Sequence, residues 1–372
     1  MKVTLGPEKL ISQAPVDTKD WGPWQFPRVF DAGNRIYLEF HVLADSALSY
    51  GSPRKWIYSD DKGKTWNECE NGALKLDNGD LIKIHQTKAI PEEDMELPKA
   101  IGKYVGYGFT REYFKYEDIP EQHRKWFIER TKPGQSMQVE EVTVELPDYT
   151  MNTSEGVFPR PYFHQIKKGP NGSIWTFLYK HYIKEDGKIS EKGASWFHKS
   201  TDNGKTWKYM SRVPYQNDIE IDTCAKKRYG YGEPDMCFID ENTAFALHRT
   251  TDGNGFGPMY ITWTKDGGLT WTKAEYFDDR GVWPQTVKLD NGAIIAGYGR
   301  PGLFIRPYLN GKWHDRIAVV EPMDLQTDTC SYCALIKTGP DTALVFYSDF
   351  NYPDENGVPR KSIMSREITV EV

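Results

Sequence analysis

Helical periodicity is scarce in this sequence. Only Ile119 to Arg130, IPEQHRKWFIER, reads as a helix, with Pro120 near a first turn and the acidic Glu121 after it. No run of 18 apolar residues occurs, so no membrane-spanning helix is expected. No basic tract stands out and the formal net charge is −6, so nucleic acid is not an expected partner. The opening MKVTLGPEKLISQAP lacks an apolar h-region. It fits a cytoplasmic protein, or a secreted or periplasmic one whose leader is not in this chain. Cysteine is sparse, with five in all, and Cys330-x-x-Cys333 is the one close pair. No second pair stands at zinc-finger spacing, so these read as buried or half-buried thiols rather than a metal or redox site. No His pair has zinc-like spacing and no Gly-rich phosphate loop appears, so neither metal nor cofactor is expected.

What the chain has in quantity is aromatic residues and tight turns. Its 372 residues include 12 Trp and 22 Tyr. Rings favour strands, and in pockets they offer faces for sugars or bases. Short apolar or alternating runs are cut by Asp, Asn and Gly, as in antiparallel β-structure. The cuts recur: RVFDAGNRIYLEF around Gly33, LKLDNGDLIKI around Gly79, QIKKGPNGSIWTFLY around Gly172, MCFIDENTAFAL around Asn242, TVKLDNGAIIAGY around Gly292 and ALIKTGPDTALVFY around Asp341. Asn-Gly between apolar runs is a strong hairpin signal. Six hairpins, about one per 62 residues, match a repeating four-stranded unit of propeller-blade size.

A second repeat sits between the third and fourth strands of some units. SDDKGKTW (Ser59 to Trp66) returns as STDNGKTW (Ser200 to Trp207) and, more loosely, as TKDGGLTW (Thr264 to Trp271). Asp61, Asp202 and Asp266 can accept from turn N–H groups, and each Trp can pack between sheets. This S/T-x-D-x-G-x-T-W pattern resembles the Asp-box, or bacterial neuraminidase repeat, of the sialidase superfamily. The resemblance implies an all-β fold: a six-bladed β-propeller of four-stranded antiparallel blades. It covers nearly all of residues 1–372 as one propeller domain, apart from an insertion near 87–134 in blade two that holds the expected helix. The blades map to about residues 20–70, 71–150, 155–215, 230–278, 280–322 and 328–372, the last completed by a strand from residues 1–12. FIRPYLNGKW (Phe304 to Trp313) reads as a worn copy of the box in blade five.

The innermost strands open on FPRVF, FPRPYF, EPDMCF and WPQTV, and Glu233 stands where the others have Phe or Trp. A carboxylate at an otherwise apolar, channel-lining position calls for a role. In the sialidase superfamily a Glu of this kind is the base for a Tyr nucleophile on the last blade. Here that Tyr would be Tyr332, in CSYCALI, and Arg249 follows Glu233 at the far end of the same hairpin. A phenol is a poor nucleophile at neutral pH, and a carboxylate beside it can take its proton. The general acid is expected in the blade-one loop HVLADSALSYG, where Asp45 is the one acid between Glu39 and Asp60.

The family clamps its substrate carboxylate with three arginines. Arg249 matches the second and Arg300 the third, with Arg306 as competitor. At the first position stands Gln25, two residues before Pro27, so the clamp is either rebuilt from Arg28 or Arg54 or incomplete. Arg160, His164 and Asp235 are further candidates for contact with substrate. His41 and His248 sit on second strands, and Tyr104, Tyr107, Tyr113 and Tyr116 of the insertion could overhang the pocket. The resemblance thus implies an exo-acting, retaining glycoside hydrolase acting on a glycan or oligosaccharide with a terminal, acidic sugar. The alternatives are a hydrolase or lyase for another acidic sugar such as a uronic acid, or a non-catalytic glycan-binding propeller. The sequence carries no signal of oligomeric state.

Overall fold

The hairpins of the sequence become the sheets of a β-propeller in the computed structural model, which describes all residues except 107–108, 217, 251–256 and 323–327. Among the described residues there is no α-helix, only strands and short 3-10 turns. No helix there is long and apolar enough to cross a membrane. Among the described residues six strand groups follow one another along the chain. The second and third run into one eight-stranded sheet, where Thr143 and Val144 pair in parallel with Thr206 and Trp207. Two small sheets lie outside the groups: Gly102–Gly106 with Phe109–Lys115 and Thr150–Asn152, and Ile90–Pro91 with Val157–Phe158. The first holds Arg28–Asp31, Ile36–Phe40, Lys55–Ser59 and Asn67–Cys69. The second holds Leu74–Lys75, Leu81–Ile84, Trp126–Thr131 and Gln138–Val144. The third holds Ile166–Lys168, Ile174–Lys180, Ala194–Ser200 and Thr206–Val213, and the fourth Tyr231–Phe238, Ala244–Thr250, Met259–Thr264 and Glu275–Asp278. The fifth is built on Val282–Lys288, Ile294–Gly299 and Leu303–Leu309, the last pairing with Lys312–Trp313 and Ile317–Val320. In the sixth, Cys333–Lys337, Thr342–Pro353 and Pro359–Glu371 are joined by the N-terminal strands Lys2–Leu5 and Lys9–Gln13.

The local chemistry of these elements is simple. Gly79 and Gly292 adopt φ of 90° and 87°, where a side chain would be strained, and so close Asn-Gly hairpins. Asn78 and Asn291 each accept a bond from the N–H two residues on, at 3.1 Å. In the repeated turns Asp202 accepts from the N–H and hydroxyl of Thr206 at 2.9 and 2.7 Å, and Asp61 and Asp266 do the same with Thr65 and Thr270. The hydroxyl of Thr270 is the first cause that pulls the Asp266 carboxyl down to about 2. Such a carboxylate is committed to its turn. The Trp that ends each turn packs on an aromatic neighbour: Trp66 on Phe346, Trp207 on Phe163 and Trp271 on Phe197. Apolar clusters lie between adjacent sheets, as where Trp126, Ile128, Ile174 and Trp207 meet between the second and third groups.

Three expectations are corrected by the structure. Residues 119–130 do not form a helix: Glu121–His123 make one 3-10 turn, and Trp126–Thr131 is a strand between Leu81–Ile84 and Gln138–Val144. Its burial alternates, with Trp126, Ile128 and Arg130 inward. Pairing on both edges overrides the helix-forming character of Glu, Gln, Lys and Arg there. FIRPYLNGKW is no copy of the eight-residue turn. It is a tight hairpin through Asn310 and Gly311, both at positive φ, with Leu309 opposite Lys312. FPRPYF does not begin an inner strand either. Val157–Phe158 pairs with Ile90–Pro91, and the inner strand starts at Ile166.

Candidate active site

The inner strands of three groups share a backbone irregularity that decides where side chains point. In the fourth group Gly232 stands opposite Arg249 and Asp235 opposite Leu247, three steps against two. In the fifth, Val282 faces Gly299 and Gln285 faces Gly297. In the first, the His41 N–H donates to the Gln25 carbonyl while Arg28 stands opposite Glu39. Each is a bulge of one extra residue. The residue at its apex has positive φ just before a proline: Phe26 at 57°, Glu233 at 45° and Trp283 at 46°. Such a conformation costs about 1–3 kcal/mol per residue and persists where the surroundings enforce it.

All three apices converge on Tyr332. The Phe26 ring meets it edge-on at 4.7 Å between centroids, and the Trp283 ring stacks on it at 5.2 Å. The Tyr332 hydroxyl donates to Glu233 Oε1 at 2.5 Å, the same oxygen that accepts from Arg249. Arg249 also reaches the Tyr332 oxygen at 3.0 Å, and the Trp283 N–H donates to the other Glu233 oxygen at 3.1 Å. Burial, then the charge of Glu233, holds the Tyr332 phenol far above its ordinary range, while Arg249 and Arg300 oppose this. The Arg249 guanidinium stays charged: burial works against it, and Glu233 and Tyr332 outweigh burial.

Tyr332, Glu233 and Asp45 line one cavity of about 120 Å³, together with Phe26, Trp283, Arg28, Arg54, His41, Tyr50, Tyr162, His164 and Tyr179. Asp45 is an exposed residue of this lining. Partial enclosure, then the negative charges of Glu155 and Glu233, raise its carboxyl above the ordinary aspartate range. Burial, with Arg54 and Arg28 nearby, brings the His41 imidazole down to about 2. Burial, with Lys180 and Arg28, takes His164 to about 3. Both rings are therefore neutral at physiological pH, and the cations facing the cavity are Arg28 and Arg54. Arg28 turns inward because the bulge at Phe26 resets the alternation. It lies 3.7 Å from Glu39 and over the Trp283 ring.

The remaining candidates fall elsewhere. Gln25 is fully buried away from the cavity, its amide oxygen accepting from Gly22 and Lys361 in the orientation these donors require. Arg249 and Arg300 do not line the cavity; they sit behind Tyr332, where Arg300 donates to the Cys330 carbonyl at 2.7 Å and packs over Trp21 and Tyr332. Arg306 bonds the carbonyls of His314 and of Phe277, the latter on the last strand of the fourth group. Asp235 is buried and held by Lys167, Thr286 and Gln165, a network that ties inner strands together. His248 is buried between Ser195 and Thr262. Cys330 and Cys333 are buried free thiols. Arg160 and Tyr113 line a neighbouring cavity, Tyr104 packs on Tyr229, and Tyr116 packs on Tyr149. Tyr107 lies outside the described residues. Sequence reasoning overlooked Phe26, Trp283, Tyr50, Tyr162 and Tyr179 as walls. For Phe26 and Trp283 the signal was present, because they precede prolines at the positions equivalent to Glu233.

No family model matches the sequence, and neither does any curated protein. Solved structures do resemble it. A protein of unknown function from Dyadobacter fermentans is 18% identical over 99% of both chains, with a TM-score of 0.66. The NanB sialidase from Streptococcus pneumoniae, in its K499G mutant, is 14% identical over 97% of this chain and 70% of that one, with a TM-score of 0.59. An α-L-arabinanase from Penicillium chrysogenum, complexed with arabinobiose, is 15% identical over 97% and 98% of the two chains, with a TM-score of 0.51. At these identities the likeness is one of fold. The chain has a propeller fold of the kind used by glycoside hydrolases.

Proposed function

We propose that this protein is an exo-acting glycoside hydrolase that removes a terminal, acidic sugar from a glycan with retention of configuration. The observation that carries this reading is the short Tyr332–Glu233 bond, bridged by Arg249, in a cavity that also holds Asp45. Tyr332 attacks the anomeric carbon as Glu233 takes the phenolic proton, and Asp45 gives its proton to the departing glycosidic oxygen. Asp45 then deprotonates a water that attacks the same carbon. The bond to Tyr332 breaks and Glu233 returns the proton to its oxygen. Arg249 balances the charge that moves between Glu233 and Tyr332. A neutral phenol also suits an anionic sugar, which would repel a carboxylate nucleophile.

One observation favours an acidic sugar other than sialic acid, such as a uronic acid. Arg249 bonds Glu233 and Tyr332, Arg300 bonds the Cys330 carbonyl, and the cations among the cavity's described lining residues are Arg28 and Arg54. A panel of acidic glycans tests both readings, with the first-formed anomer followed by proton NMR. A single acidic sugar released in its starting configuration is expected. An inverted first product rules out a Tyr332 nucleophile, and an unsaturated, ultraviolet-absorbing product makes the reaction an elimination.

The proton on Asp45 gives a pH test. A raised carboxyl stays protonated, and competent as an acid, to higher pH. Glu155 accepts from the Ser46 hydroxyl and Ala47 N–H and is the larger of the two negative contributors to the Asp45 shift. Glu155→Gln keeps an acceptor for both bonds but removes the charge, so the Asp45 carboxyl falls. The alkaline limb of kcat should move to lower pH in this variant. A limb that stays put or moves up would remove Asp45 from the acid role.

A further inference from the structure

Beside the Tyr332 cavity lies a second one of about 130 Å³, and the two share Tyr50, Tyr162, His164 and Tyr179 as a common wall. Its chemistry is different. Arg111, Arg160 and Lys180 all line it, and no Asp or Glu does among its described lining residues. Neither Arg160 nor Lys180 is ion-paired among the described residues. The Lys180 ammonium donates to the Asn152 amide oxygen at 2.8 Å, a neutral partner. Burial, and then Arg111, brings Lys180 down to about 8, as befits a cation enclosed without a countercharge. The Nε of Arg160 is buried with no partner among the described residues.

His181 adds a second kind of group. It is 5% exposed and also lines the cavity. Its Nδ1 lies 2.8 Å from the Ser190 carbonyl and so carries the proton, since burial lowers the ring to about 4. Its Nε2 is then an acceptor with no partner among the described residues. An acceptor beside cations suits a ligand with both a negative group and a hydroxyl. The Tyr113 and Tyr229 rings pack on His181 at 4.8 and 5.1 Å, which fixes its orientation. Tyr113 and Arg111 come from the strand Phe109–Lys115, within the segment that sequence reasoning treated as an insertion. That strand pairs with Thr150–Asn152, and so brings its cation to the wall that carries Asn152.

We propose that this cavity is a subsite for an anionic substituent, a carboxylate or sulfate ester, on the sugar unit adjoining the one held at Tyr332. The inference rests on the hydrolase reading only for the orientation of the glycan; the binding chemistry stands without it. Arginine and lysine together match the forked and point-charge demands of such groups. Desolvated cations with no fixed counterion gain most from an incoming anion. The shared wall of Tyr50, Tyr162, His164 and Tyr179 would then face both sugar units.

Equilibrium binding tests this without turnover. Titration calorimetry would use methyl uronosides of gluco, galacto and manno configuration, the matching 6-sulfates, and the neutral parent glycosides. At least one anionic member should bind about tenfold or more tightly than its neutral parent, since a charge-assisted contact contributes about 1.5–3 kcal/mol. Preference confined to uronosides assigns a carboxylate, and preference confined to 6-sulfates assigns a sulfate. Arg160→Met and Lys180→Met should each lower that preference about tenfold, in the wild-type protein and again in the Arg28→Met background, which removes a cation of the Tyr332 cavity. Lys180→Gln, which keeps a polar end in the buried wall, serves where a methionine variant melts early. No anionic preference in the wild type overturns the proposal. So does a preference that both Arg160→Met and Lys180→Met leave unchanged in either background, because the anion would then sit in the Tyr332 cavity alone. A protein that hydrolyses no glycan yet shows the expected binding pattern would sink the hydrolase reading alone.

Discussion

Tyr332→Phe is expected to lower turnover about 10³-fold or more, with little change in thermal stability. The substitution removes one oxygen and leaves the ring. The edge contact with Phe26 and the stack with Trp283 depend on the ring, so the packing of the cavity wall should persist. Glu233 also stays satisfied, because Arg249 and the Trp283 N–H still donate to it. The lost group is the one atom placed to form a covalent bond. Glu233→Gln should cost less, about 10²–10⁴-fold, because the nucleophile remains and only its proton acceptor is gone. Single-turnover measurements on the glycan that the wild type cleaves would compare the two. Wild-type turnover by Tyr332→Phe would remove the tyrosine from the mechanism and leave Glu233 and Asp45 as the pair to consider.

The second large effect concerns stability. Arg130→Met should destabilise the fold by about 3–5 kcal/mol, which for a chain of this size is a drop of roughly 5 °C in Tm. Arg130 is 1% exposed and fully engaged. Its guanidinium donates to Glu140 at 2.6 Å, to Asp80 at 2.9 Å and to the Asn203 carbonyl at 2.7 Å. The first two partners belong to the second strand group, and the third to the repeated turn of the next. Methionine fills much of the volume, but it leaves the Asp80 carboxylate buried without its cation and the Asn203 carbonyl without a donor. Thermal and urea unfolding would measure the loss, and the folded fraction should keep its activity. A change below about 1 kcal/mol would mean that water reaches Asp80 and Asn203 once the arginine is gone.

The same residue illustrates what was legible in the sequence. Arg130 ends the segment IPEQHRKWFIER, which has a helix start and helix-forming residues, yet Trp126–Thr131 is a strand. Its alternation of Trp, Ile and Arg inward is visible in retrospect. It decides nothing until strands on both sides supply partners. The Asn-Gly hairpins and the repeated Asp-containing turns were readable because their hydrogen bonds close within a few residues. Asp202 finds its donors at Lys205 and Thr206 whatever the rest of the chain does.

The residues of the candidate site divide in the same way. The break in the inner-strand pattern at Glu233, and the Tyr332 and Arg249 that accompany it, could be picked out by residue type and order. Arg28 could be named only as one way to rebuild the clamp, because period-two alternation from Pro27 turns it away unless a bulge intervenes, and the bulge at Phe26 is what turns it back. Nor could order in the chain reveal that Arg249 and Arg300 stand behind Tyr332 while Arg28 and Arg54 face the cavity. By itself the sequence determined the hairpins, the turns and the cast of chemically capable residues, since these depend on near neighbours and side-chain chemistry. Tertiary structure alone decided the phase of each inner strand, the partner of each cation and the cationic cavity beside Tyr332. Those depend on bulges and on packing between strand groups far apart in the chain, where a shift of one residue reverses the direction of every side chain that follows.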